Sequence, residues 1–85
     1  MPEISRFYGI VITMYRDDHP GPHFHARYGG REIKMFLSDG SVEGKFPPRQ
    51  IALLRKWLKV RRVELYENWR LLHEEKDPRY IQPLD

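Results

Sequence analysis

His-Phe-His-Ala-Arg-Tyr-Gly-Gly-Arg-Glu-Ile-Lys-Met-Phe-Leu, His23–Leu37, is the stretch on which the fold turns. Gly29-Gly30 is a hairpin signal, because paired glycines adopt the positive φ angles that a tight two-residue turn requires. The residues on either side, His23–Tyr28 and Arg31–Leu37, are therefore expected to pair as antiparallel strands. Side chains alternate across a strand. Phe24, Ala26 and Tyr28 form the expected core set, and His23, His25 and Arg27 share the opposite face. Met35 and Phe36 cannot both face the core.

Upstream, Tyr8, Ile10, Ile12 and Met14 alternate with Phe7, Gly9, Val11 and Thr13. Read as one strand, this segment has two fairly apolar faces and suits a central position. Asp17-Asp18-His19-Pro20-Gly21-Pro22 is a turn or loop, its prolines fixing φ on either side of a free glycine. Downstream, Ser38-Asp39-Gly40 turns the chain into a short strand near Ser41–Lys45. Links this short favour meander order.

The second half reads as helix. Pro47-Pro48 marks its start, since proline at the first helical position lacks only an N–H that would be unbonded anyway. No glycine or proline follows until Pro78. Ile51, Leu54, Leu58, Leu65, Trp69 and Leu72 fall on one stripe at about 100° per residue. Trp57 lies off that stripe and is expected to cover a sheet edge or a partner. The phase persists past Arg61-Arg62, which favours one long helix kinked near Val60–Arg62 over a two-helix hairpin. The tail from Asp77 to Asp85 is expected to be extended and partly docked. The fold class is thus α+β: a small antiparallel sheet of three to four strands, with the C-terminal helix packed on one face, in a single domain spanning 1–85. One helical layer leaves the second apolar face of the first strand open, which implies an interface with a second copy or a partner protein unless the tail covers it.

Composition narrows the chemistry. The chain has no cysteine, which excludes a disulfide scaffold, a thiolate metal site and a thiol nucleophile. Met-Pro-Glu-Ile-Ser-Arg lacks the apolar core of a signal peptide, and no run approaches a membrane span, so a cytoplasmic location without membrane contact is expected. Net charge is +3, all of it in residues 47–85, and residues 55–62 hold five basic side chains and no acid. Arg55, Lys59 and Arg62 are candidate contacts to nucleic acid phosphates; a solvated helix face accounts for the same pattern.

The histidines carry the sharper signal. His19, His23 and His25 lie within seven residues, next to Arg27. Three readings fit. Two imidazoles can share general base and general acid roles beside a phosphate held by Arg27, the chemistry of metal-independent RNA cleavage through the ribose 2′-hydroxyl. His23 and His25 can present two nitrogens to a metal ion, with His19 or Asp18 as a third ligand. Or the imidazoles are satisfied by Asp18 and backbone, with nothing bound. No cofactor is implied. His73, late in the helix, reads as a surface residue near the carbonyl end.

Four segments, Pro2–Ile12 (PEISRFYGIVI), Asp18–Tyr28 (DHPGPHFHARY), Glu43–Arg49 (EGKFPPR) and Glu67–Trp69 (ENW), resemble the small bacterial DUF4160 family. Members usually carry D-H-x-P-P-H-F-H-A; here Gly21 separates Pro20 from Pro22. The resemblance implies a small protein partner encoded by an adjacent gene, in a two-gene arrangement like a toxin–antitoxin module, with this chain as the toxin. Many toxins of such modules cleave RNA, which lends weight to His19, His23, His25 and Arg27 as a catalytic cluster. A non-catalytic protein- or nucleic-acid-binding module and a small metal-binding protein are the alternatives.

Overall fold

The computed structural model describes residues 3–16 and 21–85. Five strands run in meander order: β1 (Glu3–Phe7), β2 (Ile10–Thr13), β3 (His23–Tyr28), β4 (Arg31–Phe36) and β5 (Val42–Glu43), followed by one helix, α1 (Pro48–His73). All neighbouring strands pair antiparallel.

The sheet is thus α+β with five strands, not three to four. The extra strand comes from dividing 7–14 in two. Tyr8 (φ 50°) and Gly9 (φ 76°) both take left-handed conformations and close a two-residue hairpin turn. Phe7 then pairs with Ile10, so the turn resets the alternation. Phe7, Ile10 and Ile12 all end up buried on one side. The expected second apolar face disappears with this correction. The outer surface of the sheet instead carries Arg6, Val11, Arg27 and Glu32 in one register row, and Glu3, Thr13, His25, Lys34 and Glu43 in the next.

The hairpin at Gly29-Gly30 forms as expected, with φ of 55° and 78°. Met35 takes the core side and Phe36 the outer side. Helix α1 starts with Pro48 at its first position and departs from helical geometry at Arg61 (φ −109°, ψ 19°), within the window where a kink was expected. A straight helix of 26 residues would run about 39 Å, beyond the molecule's longest principal extent of 33 Å. Beyond this break the helix carries Trp69 against the His23 ring, with centroids 5.0 Å apart. No helix among the described residues is long and apolar enough to cross a membrane.

Trp57 is a correction. It is fully buried at the centre of the core, against Phe7 (ring centroids 5.2 Å apart) and Phe24 (5.6 Å). The tail makes this possible by walling the flank of the helix that the stripe leaves open. The indole Nε1–H donates to the Gln82 carbonyl at 2.9 Å. The Ile81 N–H donates to the Ile4 carbonyl at 2.7 Å, and the Ser5 hydroxyl donates to the Ile81 carbonyl at 2.9 Å, so the tail also occupies the edge of β1. An occupied edge cannot template pairing with another chain.

Asn68, almost fully buried, fixes the tail from the helix side. Its side-chain amide donates to the Arg79 carbonyl and accepts from the Arg79 N–H, both at 2.8 Å. Asn68→Ala leaves a part-buried N–H and C=O of the tail without their side-chain partner. The expected loss is about 2–4 kcal/mol, from two unsatisfied groups at about 1–2 kcal/mol each. A urea titration followed by tryptophan fluorescence measures it, and a loss under about 0.5 kcal/mol would show that the tail is not held there.

Candidate functional site

The alternation of β3 delivers His23, His25 and Arg27 to the face away from Phe24 and Ala26, which are fully buried in the core. The three meet very different surroundings. His23 is 1% exposed, His25 is half-buried and Arg27 is exposed. His19 and Asp18 lie outside the described residues.

The His23 and His25 rings are 5.3 Å apart in an edge-on arrangement. They belong to a line of rings. Tyr15 packs against His25 at 4.7 Å, His23 against Trp69 at 5.0 Å, and Trp69 against His73 at 4.4 Å; Phe36 flanks His23 at 5.6 Å. His73 therefore joins the histidine neighbourhood from the far end of the helix, brought there by the bend at Arg61. His73 is exposed, as its sequence position implies, and its ring packs on Trp69 as well. The signal was available: Trp69 and His73 are four apart and so share a helix face. The Nδ1–H of His73 donates to the Trp69 carbonyl at 2.9 Å.

Hydrogen bonds orient both β3 imidazoles. His23 Nδ1 lies 3.0 Å from the Gly21 carbonyl, and His25 Nδ1 lies 3.2 Å from Glu32 Oε2. A carbonyl and a carboxylate only accept, so each Nδ1 carries the proton. In neutral His25 the lone pair then sits on Nε2. That atom is buried and has no hydrogen-bond partner among the described residues. An unpartnered buried ring nitrogen costs about 1–3 kcal/mol, and such atoms are uncommon in folded proteins.

Electrostatics keep His25 neutral. Burial pushes its pKa below the ordinary imidazole value, and the neighbouring His23 and Lys34 push the same way, against the opposing pull of Glu32. Lys34 stands directly across the strand pair from His25. The sequence reading did not single out Glu32. The Gly29-Gly30 turn sets Arg27 opposite Glu32 and His25 opposite Lys34, so Glu32 lies diagonally within reach of His25.

The basic stripe divides. Arg55 Nε–H donates to the Gly40 carbonyl at 3.1 Å, and Arg62 donates to the Leu37 and Ser38 carbonyls. Both guanidinium groups hold the turn between β4 and β5 on the helix. Lys59 alone of the three is exposed without a hydrogen bond or ion pair among the described residues. Among those residues no group of three or more His, Asp or Glu side chains is placed to hold a metal ion.

Fold and site together define a small α+β protein with an oriented imidazole pair at one end of a five-stranded meander. The family comparison is specific: the model of a domain of unknown function (DUF4160) matches residues 9–70, and the chain belongs to that family. The matched region contains β2–β5, the imidazole pair, Glu32 and most of α1. No curated protein and no solved structure matches the chain.

Proposed function

We propose that this protein is the effector member of a two-protein bacterial module, toxin-like in the sense the family resemblance implies, and that it cleaves RNA with His25 as general base. The observation that carries the reading is the His25–Glu32 pair. A carboxylate bound to Nδ1–H fixes the tautomer and leaves a lone pair on Nε2, while burial keeps the ring unprotonated near neutral pH. Nε2 is covered as the side chains stand, so a ribose 2′-hydroxyl that displaced its cover would supply the hydrogen bond the atom lacks. Lys34, across from the ring, and Arg27, two residues along the same face, are the cations nearest a phosphate held there. His23 is the partner imidazole, and His19 is the third histidine of the cluster as read from the sequence. A small protein partner would mask this face until it is needed.

The test is cleavage of a generic single-stranded RNA by purified protein, with growth of an expressing strain as a second readout. Removing a general base costs about 10²–10⁴ in rate. Wild-type cleavage and toxicity should therefore fall by that factor in His25→Gln. Full activity in a folded His25→Gln protein would sink the reading.

One observation favours a second reading. An Nδ1–H anchored by an acceptor, with the other nitrogen buried and unpartnered among the described residues as in His25, is also how metal-binding imidazoles are oriented. Elemental analysis of untagged protein separates the two. Stoichiometric zinc, copper or nickel, with activity lost on chelation, would replace the metal-independent mechanism by a metal site on His23 and His25.

A further inference from the structure

We propose that the substrate is a single-stranded RNA laid along β3, with Arg27 and Arg31 holding the phosphate next to the one at His25. This rests on the reading of His25 as the base, and it adds where the strand runs and what grips it.

The charges on this part of the molecule are mostly spoken for. Arg6 pairs with Glu3 at 2.8 Å, His25 with Glu32 at 3.2 Å and Lys34 with Glu43 at 3.9 Å. Arg27 and Arg31 make no hydrogen bond or ion pair among the described residues, although the Glu3 carboxylate feels the charge of Arg27. Both line a cleft of about 380 Å³ at the hairpin end of the sheet, with Val11, Tyr28, Glu32 and the Gly29-Gly30 turn. Glu32 is the one acid in that cleft, and its carboxylate is turned to His25. Two guanidinium forks without anionic partners, flanking one opening, are charge-complementary to phosphate.

Spacing and shape point to a single strand. Arg27 is one strand repeat from His25, about 6.7 Å. That is close to the separation of successive phosphates along an extended polynucleotide. At Gly29 and Gly30 a side chain would meet nothing within 4 Å, so the turn leaves its backbone open to a close approach. The neighbouring turn places Gly9 against the Tyr28 ring, at 3.4 Å from where a Cβ would stand, and Tyr8 beside it is 54% exposed. An exposed phenol in the turn beside Gly9 offers a base a stacking surface without demanding sequence.

The experiment measures binding apart from cleavage. The probe is a short fluorescent 2′-O-methyl RNA, which lacks the attacking hydroxyl, titrated by anisotropy against full-length wild-type protein and Arg27→Gln/Arg31→Gln across a salt series. A second pair, Arg27→Lys and Arg31→Lys, keeps charge but not the fork and guards against misfolding of the first. Loss of two phosphate contacts should weaken binding about tenfold or more. It should also reduce the salt slope by about 0.7, the value for the one phosphate that the two arginines share on a single strand. Unchanged affinity and slope in both sets of variants would overturn the proposal, as would equal or tighter binding of polyglutamate, the outcome expected of an acidic protein partner. Binding lost in the arginine variants, alongside a wild type that cleaves nothing, would uphold the track and refute the base.

Discussion

Trp57→Ala is expected to remove about 3–5 kcal/mol of stability, the range for truncating a fully buried aromatic. Domains are stable by only about 5–15 kcal/mol in total, so a variant near the lower bound would be largely unfolded at 37 °C. The indole closes the core against Phe7 on β1 and Phe24 on β3, and its N–H holds the Gln82 carbonyl. One side chain thus ties sheet, helix and tail. Trp57→Phe separates packing from hydrogen bonding: it keeps most of the ring and leaves the carbonyl without its donor, at about 1–3 kcal/mol. Urea midpoints followed by far-ultraviolet circular dichroism measure both. An alanine variant within 1 kcal/mol of wild type would mean that the tail does not seal the helix flank.

Trp57 also shows what periodicity reads well and what it misses. The stripe Leu54, Leu58, Leu65 and Leu72 is buried as its spacing requires. Period alone assumes one contact face, however, and this helix has two, because Ile81 and its neighbours pack along a second flank. Nothing local in the tail's sequence announces that its backbone bonds to β1. The Gly29-Gly30 turn was legible because paired glycines have few other uses. Tyr8-Gly9 was not, since a tyrosine at φ 50° is an uncommon choice and the flanking residues alternate convincingly as one strand. The helix end is concealed in the same way. Lys76 N–H donates to the Leu71 carbonyl and Glu75 N–H to the Leu72 carbonyl, a left-handed terminal turn with Glu75 where glycine is usual.

The candidate site divides along similar lines. Alternation alone put His23, His25 and Arg27 on one side of β3. It said nothing of depth, and depth separates a sealed imidazole, a half-buried one and a free guanidinium. Depth comes from the bend at Arg61, which carries Trp69 over His23, and no glycine or proline marks that bend. Arg55 and Arg62 show the converse. Their spacing suits a phosphate footprint, and three-dimensional packing gives their guanidinium groups carbonyls instead.

If the proposed cleavage runs through His25, its rate should stay near its plateau as pH falls through about 6.5, the unperturbed imidazole pKa, and decline only further into acid. The reason is His25, whose pKa burial holds below that value, with help from His23 and Lys34. The same depression links pH to stability. Between the folded and unfolded pKa values the unfolded chain binds the extra proton, so stability rises with pH. The contribution of His25 is complete above about pH 6.5 and is lost as pH falls through its folded pKa. Glu32 pulls the other way, so Glu32→Gln should lower the His25 pKa further and shift the acid limb of the rate profile down. It should also lower the plateau, because the amide no longer enforces the tautomer with the lone pair on Nε2. Proton NMR titration of the imidazole Cε1–H resonances gives the pKa, and a pH series of initial rates gives the limb. A His25 resonance titrating at or above 6.5, or a rate limb that stays fixed while that resonance moves in Glu32→Gln, would detach this imidazole from the chemistry. The ring line from Tyr15 to His73 would then be read as packing.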